Sequence, residues 1–191
     1  MLIGVLGLQG DVAEHVARLR EILGENGVKV VRYAYEIDAL DGLIIPGGES
    51  TTLSDLIVQF GINKAIGNKK DLPIFGTCAG TILLAKELVN YADQFVLKRM
   101  DIKVERNAYG GQMESFEVDL DIPALGEEAF RAIFIRGPTI VDVGEDVEVL
   151  AWHDSKPVLA RQGNNLVVTF HPELTDDLRI QKYFIEMVKG G

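Results

Sequence analysis

A single cysteine lies in a sequence context that suits a nucleophile. Cys78 is the only cysteine of the 191-residue chain, and it is the central residue of the glycine-rich segment 76–80, GTCAG. An apolar run at 72–75 precedes this segment, and a run with helical spacing at 79–88 follows it. The partial positive charge at the start of a helix favours a thiolate, the reactive form of cysteine. The pattern therefore predicts a nucleophile on a sharp strand-to-helix turn.

A histidine and a glutamate could complete a catalytic triad with this cysteine. His171 and Glu173 flank Pro172 directly after the apolar run 166–170. In extended chain, residues i and i+2 point to the same side, so the ring and the carboxylate share a face. The imidazole could take the proton of Cys78 and return it to a leaving group, while the carboxylate orients the ring. Taken alone, a single cysteine is usually a buried core residue, and a His-Pro pair is usually a surface turn. The occurrence of both patterns in one chain is what predicts an acyl-transfer site.

Two backbone amides could stabilise an oxyanion beside the thiol. Ala79 follows Cys78 at the start of the predicted helix, where an N–H group points toward the sulfur. The loop 46–51, PGGEST, follows another predicted strand, and its glycines let the backbone approach a ligand. An amide of this loop, that of Gly48, is the second candidate donor. The same loop also fits an ordinary strand-to-helix connection.

Three charged side chains could hold a small zwitterion. Glu49 could bind an ammonium group, and Arg106 and Arg136, both at ends of predicted strands, could bind a carboxylate through a bidentate fork. For either arginine taken alone, a solvated surface position is the commoner role.

Composition and charge narrow the classes of partner. The chain has 19 basic and 29 acidic residues and a formal charge of −10, which disfavours binding to nucleic acid or to an anionic membrane. No apolar run approaches the roughly 20 residues of a membrane-spanning helix, and no signal-peptide pattern is found. One cysteine forms no internal disulfide, so we expect a cytoplasmic protein. The histidines His15, His153 and His171 lack metal-ligand spacing, so no metal or cofactor is expected.

The order of predicted elements indicates an α/β fold. Strands are expected at 2–8, 28–33, 43–45 and 72–75, and helices at 12–25, 52–60 and 79–88, with Asp11 capping the first helix and Ser50 or Thr51 the second. The second half is mostly strand-like, at 96–104, 115–120, 132–135, 147–152, 157–162 and 166–170, and a helix at 176–188 follows. This pattern predicts one domain, 1–191, with a mostly parallel central sheet and an antiparallel extension in the second half.

The segments around Cys78 and His171 together resemble the class I, triad-type, glutamine amidotransferases. They are most similar to the family of glutaminase subunits of pyridoxal 5′-phosphate synthase. Other segments that look like this family follow in its order at 4–10, 46–52, 104–107, 115–117, 134–136 and 170–175.

The resemblance implies both a fold and a set of roles. The fold would be a flavodoxin-like three-layer sandwich, and Cys78, His171 and Glu173 would be the catalytic triad. The implied glutamine pocket is lined by Gly48, Glu49, Ser50, Arg106, Ile135 and Arg136. The implied activity is hydrolysis of L-glutamine to L-glutamate through a glutamyl thioester. The ammonia would pass to a partner, the synthase subunit, which builds pyridoxal 5′-phosphate.

Some residues depart from the family pattern, and other functions stay open. Gly111 stands where arginine is expected and Gly137 where alanine is usual, and the segment 96–100 is irregular. A glutaminase subunit of another pathway, such as histidine or purine synthesis, is the first alternative. The others are a redox-sensing thiol protein and a catalytically silent regulatory subunit. The pairing of segments 47–52 and 104–107 favours the vitamin B6 family, and the complete triad argues against a silent subunit.

Overall fold

The fold is built on a seven-stranded sheet flanked by helices and two smaller sheets. The computed structural model describes residues 1–89, 91–106 and 115–190. Among these, the strands are β1 (Ile3–Leu6), β2 (Val28–Val31), β3 (Gly42–Ile45), β4 (Ile74–Thr77), β5 (Ala85–Val89), β6 (Met100–Glu105), β7 (Ser115–Leu120), β8 (Phe130–Ile135), β9 (Thr139–Val143), β10 (Glu148–His153), β11 (Lys156–Gln162) and β12 (Asn165–Val168). The α-helices are α1 (Val12–Leu23), α2 (Ser50–Gln59), α3 (Ile62–Asn68), α4 (Ala79–Leu84) and α5 (Arg179–Lys189).

The main sheet is mostly parallel. Its strand order is β10-β11-β12-β4-β3-β1-β2. Strands β2, β1, β3, β4 and β12 pair in parallel, and β12, β11 and β10 pair in antiparallel fashion. The parallel part has the flavodoxin-like order 2-1-3-4-5, with β12 as its fifth strand. The predicted mostly parallel sheet with an antiparallel extension is therefore confirmed.

Two apolar cores cover the two faces of this sheet. Neighbouring residues of one strand enter opposite cores, as Ile44 and Ile45 do on β3. Each short strand is thus buried on both faces, which explains why the parallel strands appear as continuous apolar runs in the sequence. One core also takes apolar residues of helices α2, α3 and α4, and the other takes those of α1 and α5.

Small residues let helix α4 approach the sheet closely. A Cβ atom on Gly76 would lie 2.6 Å from the carbonyl carbon of Gly80, and a Cβ on Gly80 would overlap the backbone oxygen of Ile45. Glycine is therefore required at both positions, since backbone atoms cannot give way. This contact fixes the start of α4, and with it Cys78, against strands β3 and β4.

Several predicted boundaries are wrong. The helix expected at 79–88 ends at Leu84, because Ala85–Val89 pairs with β6 as a strand instead. The strand expected at 96–104 begins only at Met100 and ends at Glu105, and the last helix begins at Arg179 rather than at 176. Helix α3 and strand β9 were not predicted. Within the described residues, no helix has the length and apolar character needed to cross a membrane.

Candidate active site

A cavity opens at the carboxyl ends of the parallel strands, and it collects most of the predicted site residues. Its volume is about 410 Å³. The residues that line it are Asp11, Gly48, Glu49, Ser50, Cys78, Ile82, Arg106, Ile135, Arg136, His171 and Leu174. Ligand sites of open α/β sheets occur at this edge because the loops after several parallel strands meet there. Of the predicted residues, Glu173 and Ala79 lie outside the lining and are buried next to it.

Cys78 adopts a backbone conformation that is unusual for a residue other than glycine. Its φ is 47° and its ψ is −100°, directly before helix α4. Its N–H donates to the carbonyl oxygen of Val168 at 2.9 Å, and its own carbonyl accepts from the N–H of Thr81 at 3.1 Å. Such conformations cost of order 1–3 kcal/mol and persist where the surrounding structure enforces them. The strain and the position at a strand-to-helix turn are those of a nucleophile elbow.

His171 is held by a buried carboxylate. Its Nδ1 lies 2.8 Å from Oε1 of Glu173, and the Glu173 residue is only 1% exposed. The backbone N–H of His171 donates to the carbonyl oxygen of Ile133 on strand β8, which fixes the start of this segment. Since Glu173 occupies Nδ1, the other nitrogen, Nε2, is left for the Cys78 thiol, and it has no hydrogen bond of standard geometry among the described residues.

Asp11 is a second carboxylate on the same ring nitrogen, and the sequence analysis did not predict it. Its Oδ2 lies 3.3 Å from Nδ1 of His171. The predicted capping role is wrong, because the Asp11 carboxylate forms no capping hydrogen bond to the described backbone of α1. The hydrogen bond to His171 lowers the pKa of Asp11, against the opposing effect of burial. Asp11 therefore brings a negative charge from the start of α1 into the cavity.

The surroundings of His171 favour its charged form. Burial acts to lower the pKa of the ring, but hydrogen bonds to Asp11, Cys78 and Glu173 outweigh burial and raise it to about 12. The imidazole is therefore protonated at neutral pH. A histidine cation next to a cysteine sulfur is the arrangement in which cysteine nucleophiles are activated in general.

His15 is a further residue beside the triad that the sequence analysis missed. It is fully buried on helix α1, with Nε2 3.0 Å from Oγ1 of Thr77 and 3.5 Å from Oε2 of Glu173. Burial lowers the pKa of His15, and this effect outweighs the opposing effect of the Glu173 and Asp11 carboxylates. One feature of the sequence could have revealed this role of His15. The residue lies beside Val16 on the apolar face of the predicted first helix, where a titratable side chain needs a polar partner.

Glu49, rather than Ser50 or Thr51, caps helix α2. Its carboxylate accepts the backbone N–H of Thr51 at 3.1 Å and that of Thr52 at 2.7 Å. Burial acts to raise the pKa of Glu49, but these hydrogen bonds outweigh it and lower the pKa to about 2. Glu49 therefore stays ionised at the mouth of the cavity, where a ligand ammonium group could reach it.

The glycine loop before Glu49 lies close to the first loop of the chain. Gly48 has a φ of 152°, which favours glycine, and a Cβ on Gly48 would overlap the side-chain oxygen of Gln9. That same oxygen accepts the N–H of Glu49 at 3.0 Å. Gly48 lines the cavity, and Ala79 is the first residue of α4, whose leading N–H groups have no acceptor inside the helix. Both remain candidate oxyanion donors.

Arg106 is held in place by neighbours that the sequence analysis did not identify. Its guanidinium lies 3.3 Å from Oε1 of Glu49 and donates to Oε1 of Gln94 at 2.6 Å. It also stacks over the ring of Tyr91, 4.2 Å from the ring centre. Gln94 in turn donates to the backbone oxygen of Ser50 at 3.2 Å. The irregular loop after β5 thus joins Arg106 to the loop that carries Glu49.

Ile135 and Arg136 complete the opposite wall at the end of strand β8. Arg136 has a φ of 45°, and both residues line the cavity. Gly137 follows, and a Cβ at that position would lie 2.5 Å from the backbone oxygen of Thr169. This close approach gives a physical reason for glycine where alanine was expected. Residues 107–114, which include Gly111 and the end of the segment 104–107, lie outside the described residues.

Asp11, His171 and Glu173 are also the only group among the described residues with clustered metal-ligand atoms, which lie within 4.8 Å of one another. The 2.8 Å between His171 Nδ1 and Glu173 Oε1 is a hydrogen-bond distance. Two ligands of one tetrahedral zinc ion would stand roughly 3.3 Å apart. We therefore interpret the group as a hydrogen-bonded network.

The sequence matches the SNO glutamine amidotransferase family over residues 5–190. The chain belongs to this family. A protein of Thermotoga petrophila named pyridoxal 5′-phosphate synthase subunit PdxT is 52% identical, over 99% of this chain and 100% of that protein. A protein of the same name from Pseudothermotoga lettingae is 56% identical, over 98% and 95%.

Solved structures agree with membership of the SNO glutamine amidotransferase family. A crystal structure described as a glutamine amidotransferase is 46% identical, with a TM-score of 0.92 over 99% of this chain and 100% of that chain. The crystal structure of a putative GMP synthase protein from Thermoplasma acidophilum is 20% identical, with a TM-score of 0.70 over 100% and 95%, and is similar in fold alone. The resemblance inferred from the segments around Cys78 and His171 is therefore confirmed at the level of the family.

Proposed function

We propose that this chain is the glutaminase subunit of a pyridoxal 5′-phosphate synthase. It hydrolyses L-glutamine to L-glutamate and ammonia, and it delivers the ammonia to a separate synthase subunit. The observation that carries the proposal is the series Cys78, His171 and Glu173, in which the first two line a charged cavity and Glu173 is buried against His171. The similarity of this chain to the two PdxT proteins, over nearly the full length of each, supports the assignment to vitamin B6 synthesis.

The charges around the cavity match an amino acid. Free glutamine is a zwitterion with one ammonium and one carboxylate group. Arg106 and Arg136 line the cavity and can bind the carboxylate, while Glu49 and Asp11 can bind the ammonium group. The volume of about 410 Å³ is within the range of small-molecule sites. This arrangement leaves the side-chain amide of glutamine to reach Cys78.

The first half of the proposed reaction forms a thioester. The Cys78 thiolate attacks the amide carbon of glutamine, and the carbonyl oxygen becomes an oxyanion that accepts hydrogen bonds from the amides of Ala79 and Gly48. His171 gives its proton to the amide nitrogen, the carbon–nitrogen bond breaks, and ammonia leaves. The product is a glutamyl thioester on Cys78. Loss of one oxyanion donor is expected to lower turnover by roughly 10²–10³.

Charge changes at the sulfur help His171 to release its proton. The Cys78 sulfur is one of the groups that raise the pKa of His171 in the resting site. Once the sulfur is covalently bound to carbon it carries no negative charge, so this support is lost and the pKa of His171 falls. The ring becomes a better acid at the step in which ammonia needs a proton.

The second half of the proposed reaction restores the site. Neutral His171 accepts a proton from a water molecule, whose oxygen attacks the thioester carbon. The carbon–sulfur bond breaks, glutamate leaves, and the thiolate again faces the imidazolium. The buried Glu173 orients the ring throughout, as the acid of a triad does.

Substitutions of the triad test the proposal through ammonia release from glutamine. We expect Cys78→Ala to abolish release while the fold survives, and His171→Gln to lower it severely. His153→Gln is the matched control, because His153 is a histidine outside the cavity. A Cys78→Ala variant that releases ammonia at the native rate would contradict the proposed mechanism.

The assignment to the synthase needs a separate test with the partner. Free ammonia would waste glutamine, so we expect the isolated chain to be slow and a pyridoxal 5′-phosphate synthase subunit to accelerate it. Steady-state assays with and without that subunit measure the effect. Equal rates in both assays would argue for another pathway, and failure of a glutamine-mimicking electrophile to label Cys78 would argue for a silent or redox-sensing protein.

A further inference from the structure

The buried acid of the triad has one oxygen that His171 does not use. Oε1 of Glu173 lies on Nδ1 of His171, whereas Oε2 is buried and has no hydrogen bond of standard geometry to the described residues. An unsupported carboxylate oxygen in the interior is costly, and it leaves the carboxylate free to rotate. The polar atom facing Oε2 is Nε2 of His15, at 3.5 Å.

The ring of His15 connects the two ends of the catalytic series. Its Nε2 is 3.0 Å from Oγ1 of Thr77, the residue before Cys78, and also faces Glu173. The side chains of His15 and Glu173 are both fully buried. Bulk solvent therefore does not reach the contact between the two side chains.

The partners of His15 decide which of its nitrogens carries hydrogen. The ring is neutral because burial lowers its pKa, so it has one N–H group. A carboxylate oxygen only accepts hydrogen bonds, and a bare ring nitrogen facing Oε2 of Glu173 would be repelled. We therefore assign the hydrogen to Nε2, where it is shared between Thr77 and Glu173, and this leaves Nδ1 as the unpartnered lone pair among the described residues.

We propose that His15 is a positioning residue of the glutaminase site, which holds Glu173 through Nε2–H so that Oε1 stays on His171. This inference rests on the proposed function, in which Glu173 orients the ring of His171 beside the sulfur of Cys78. A neutral donor suits the task, because it fixes the carboxylate without neutralising its charge. The alternative is a purely structural role, in which His15 only joins helix α1 to strand β4 through Thr77.

The test measures the reactivity of Cys78, the only cysteine, toward iodoacetamide as a function of pH. The titratable groups facing His15 are Glu173, His171, Asp11 and Glu14. We expect His15→Leu to slow alkylation at neutral pH by roughly tenfold to a hundredfold, the size of effect that outer hydrogen-bond partners have at metal-bound histidines. His15→Gln, whose amide N–H reaches near the place of Nε2, is expected to retain most of the native rate.

Two controls separate positioning from general loosening of the fold. Leu19→Ala removes a fully buried side chain one turn further along α1, and it is expected to lower stability while Cys78 reacts as before. In a Glu173→Gln background, His15→Leu is expected to have no further effect, because the carboxylate through which it acts is gone. If His15→Leu does not fold, His15→Asn takes its place in the comparison with His15→Gln. The amide of asparagine reaches only the place of Nδ1, so this variant also lacks a donor at the place of Nε2.

The outcomes distinguish this inference from the proposed function. A native alkylation rate in His15→Leu, equal loss in the Gln and Asn variants, or a further loss in the Glu173→Gln background would each overturn the positioning role. Absence of ammonia release from glutamine by the native protein in the presence of the synthase subunit would instead overturn the proposed function. Alkylation of Cys78 does not depend on that activity, so it tests His15 in either case.

Discussion

Asp11→Asn isolates the effect of the second carboxylate on His171. The substitution removes a negative charge and retains a side-chain oxygen that can still accept a hydrogen bond. The Oδ2–Nδ1 distance is 3.3 Å, and the Asp11 side chain is 37% exposed. Two unit charges at this distance interact by about 5 kcal/mol at an effective dielectric constant of about 20, and by about 1 kcal/mol in water.

The exposure of Asp11 places the interaction near the aqueous limit. Solvent screens a partly exposed pair, so we take about 1–2 kcal/mol, which corresponds to a fall of about one unit in the pKa of His171. Glu173→Gln is expected to lower this pKa further, because Glu173 is buried and its oxygen lies 2.8 Å from the same nitrogen. The two effects are expected to be non-additive, since either carboxylate can take the Nδ1–H when the other is lost.

The assay is an NMR titration of the histidine ring signals. A Cys78→Ala background keeps the thiol from titrating together with His171, and substitution of each of the three histidines assigns the signals. Glu14→Gln is the matched control, because it removes one charge from the exposed side of the same helix. If Asp11→Asn shifts the midpoint of His171 no more than Glu14→Gln does, direct contact with Asp11 is not what raises this pKa.

Three further predictions concern the walls of the cavity. Gln94→Ala frees the guanidinium of Arg106, so KM for glutamine should rise with kcat little changed; a fall in kcat alone would contradict this. Gly80→Ala forces a Cβ against the backbone of Ile45, and chemical denaturation should report a loss of about 1–3 kcal/mol. Glu49→Gln should cost about 1 kcal/mol of unfolding free energy at neutral pH. Because the pKa of Glu49 is lowered from 4.5 to about 2, that difference should vanish as the pH falls through this range.

The triad could be predicted because parallel topology constrains it. Once Cys78 and His171 each follow a buried strand of one parallel sheet, the carboxyl ends of those strands meet at one edge, and β4 and β12 are in fact neighbours. Glu49 follows β3 of the same sheet and is placed by the same rule, whereas Arg106 and Arg136 follow β6 and β8 of the smaller sheets and are not. The elbow at Cys78 was also predictable, since glycines at 76 and 80 permit the tight strand-to-helix packing that such a turn requires.

The supporting residues could not be predicted because their local context has an ordinary explanation. Asp11 precedes a helix and suits a cap, and His15 lies on an apolar helix face among core residues. Their actual partners, His171 and Glu173, are more than 150 positions away along the chain, and a single sequence contains no signal for such contacts. Likewise, residues 85–89 suit a helix locally, and only pairing with β6 makes them a strand.

The arrangement around His171 assigns different tasks to its two carboxylates. Glu173 is sealed from solvent, so water does not screen its contact with His171 and its geometry is fixed by the interior. Asp11 faces the cavity, so its effect on His171 varies with what fills that space: water screens it, and a ligand ammonium group bound to Asp11 would offset its charge. In the proposed reaction, Glu173 supports the imidazolium throughout, and attack on the amide carbon removes the thiolate charge that had helped to hold the proton. The proton is thus retained until ammonia is ready to leave.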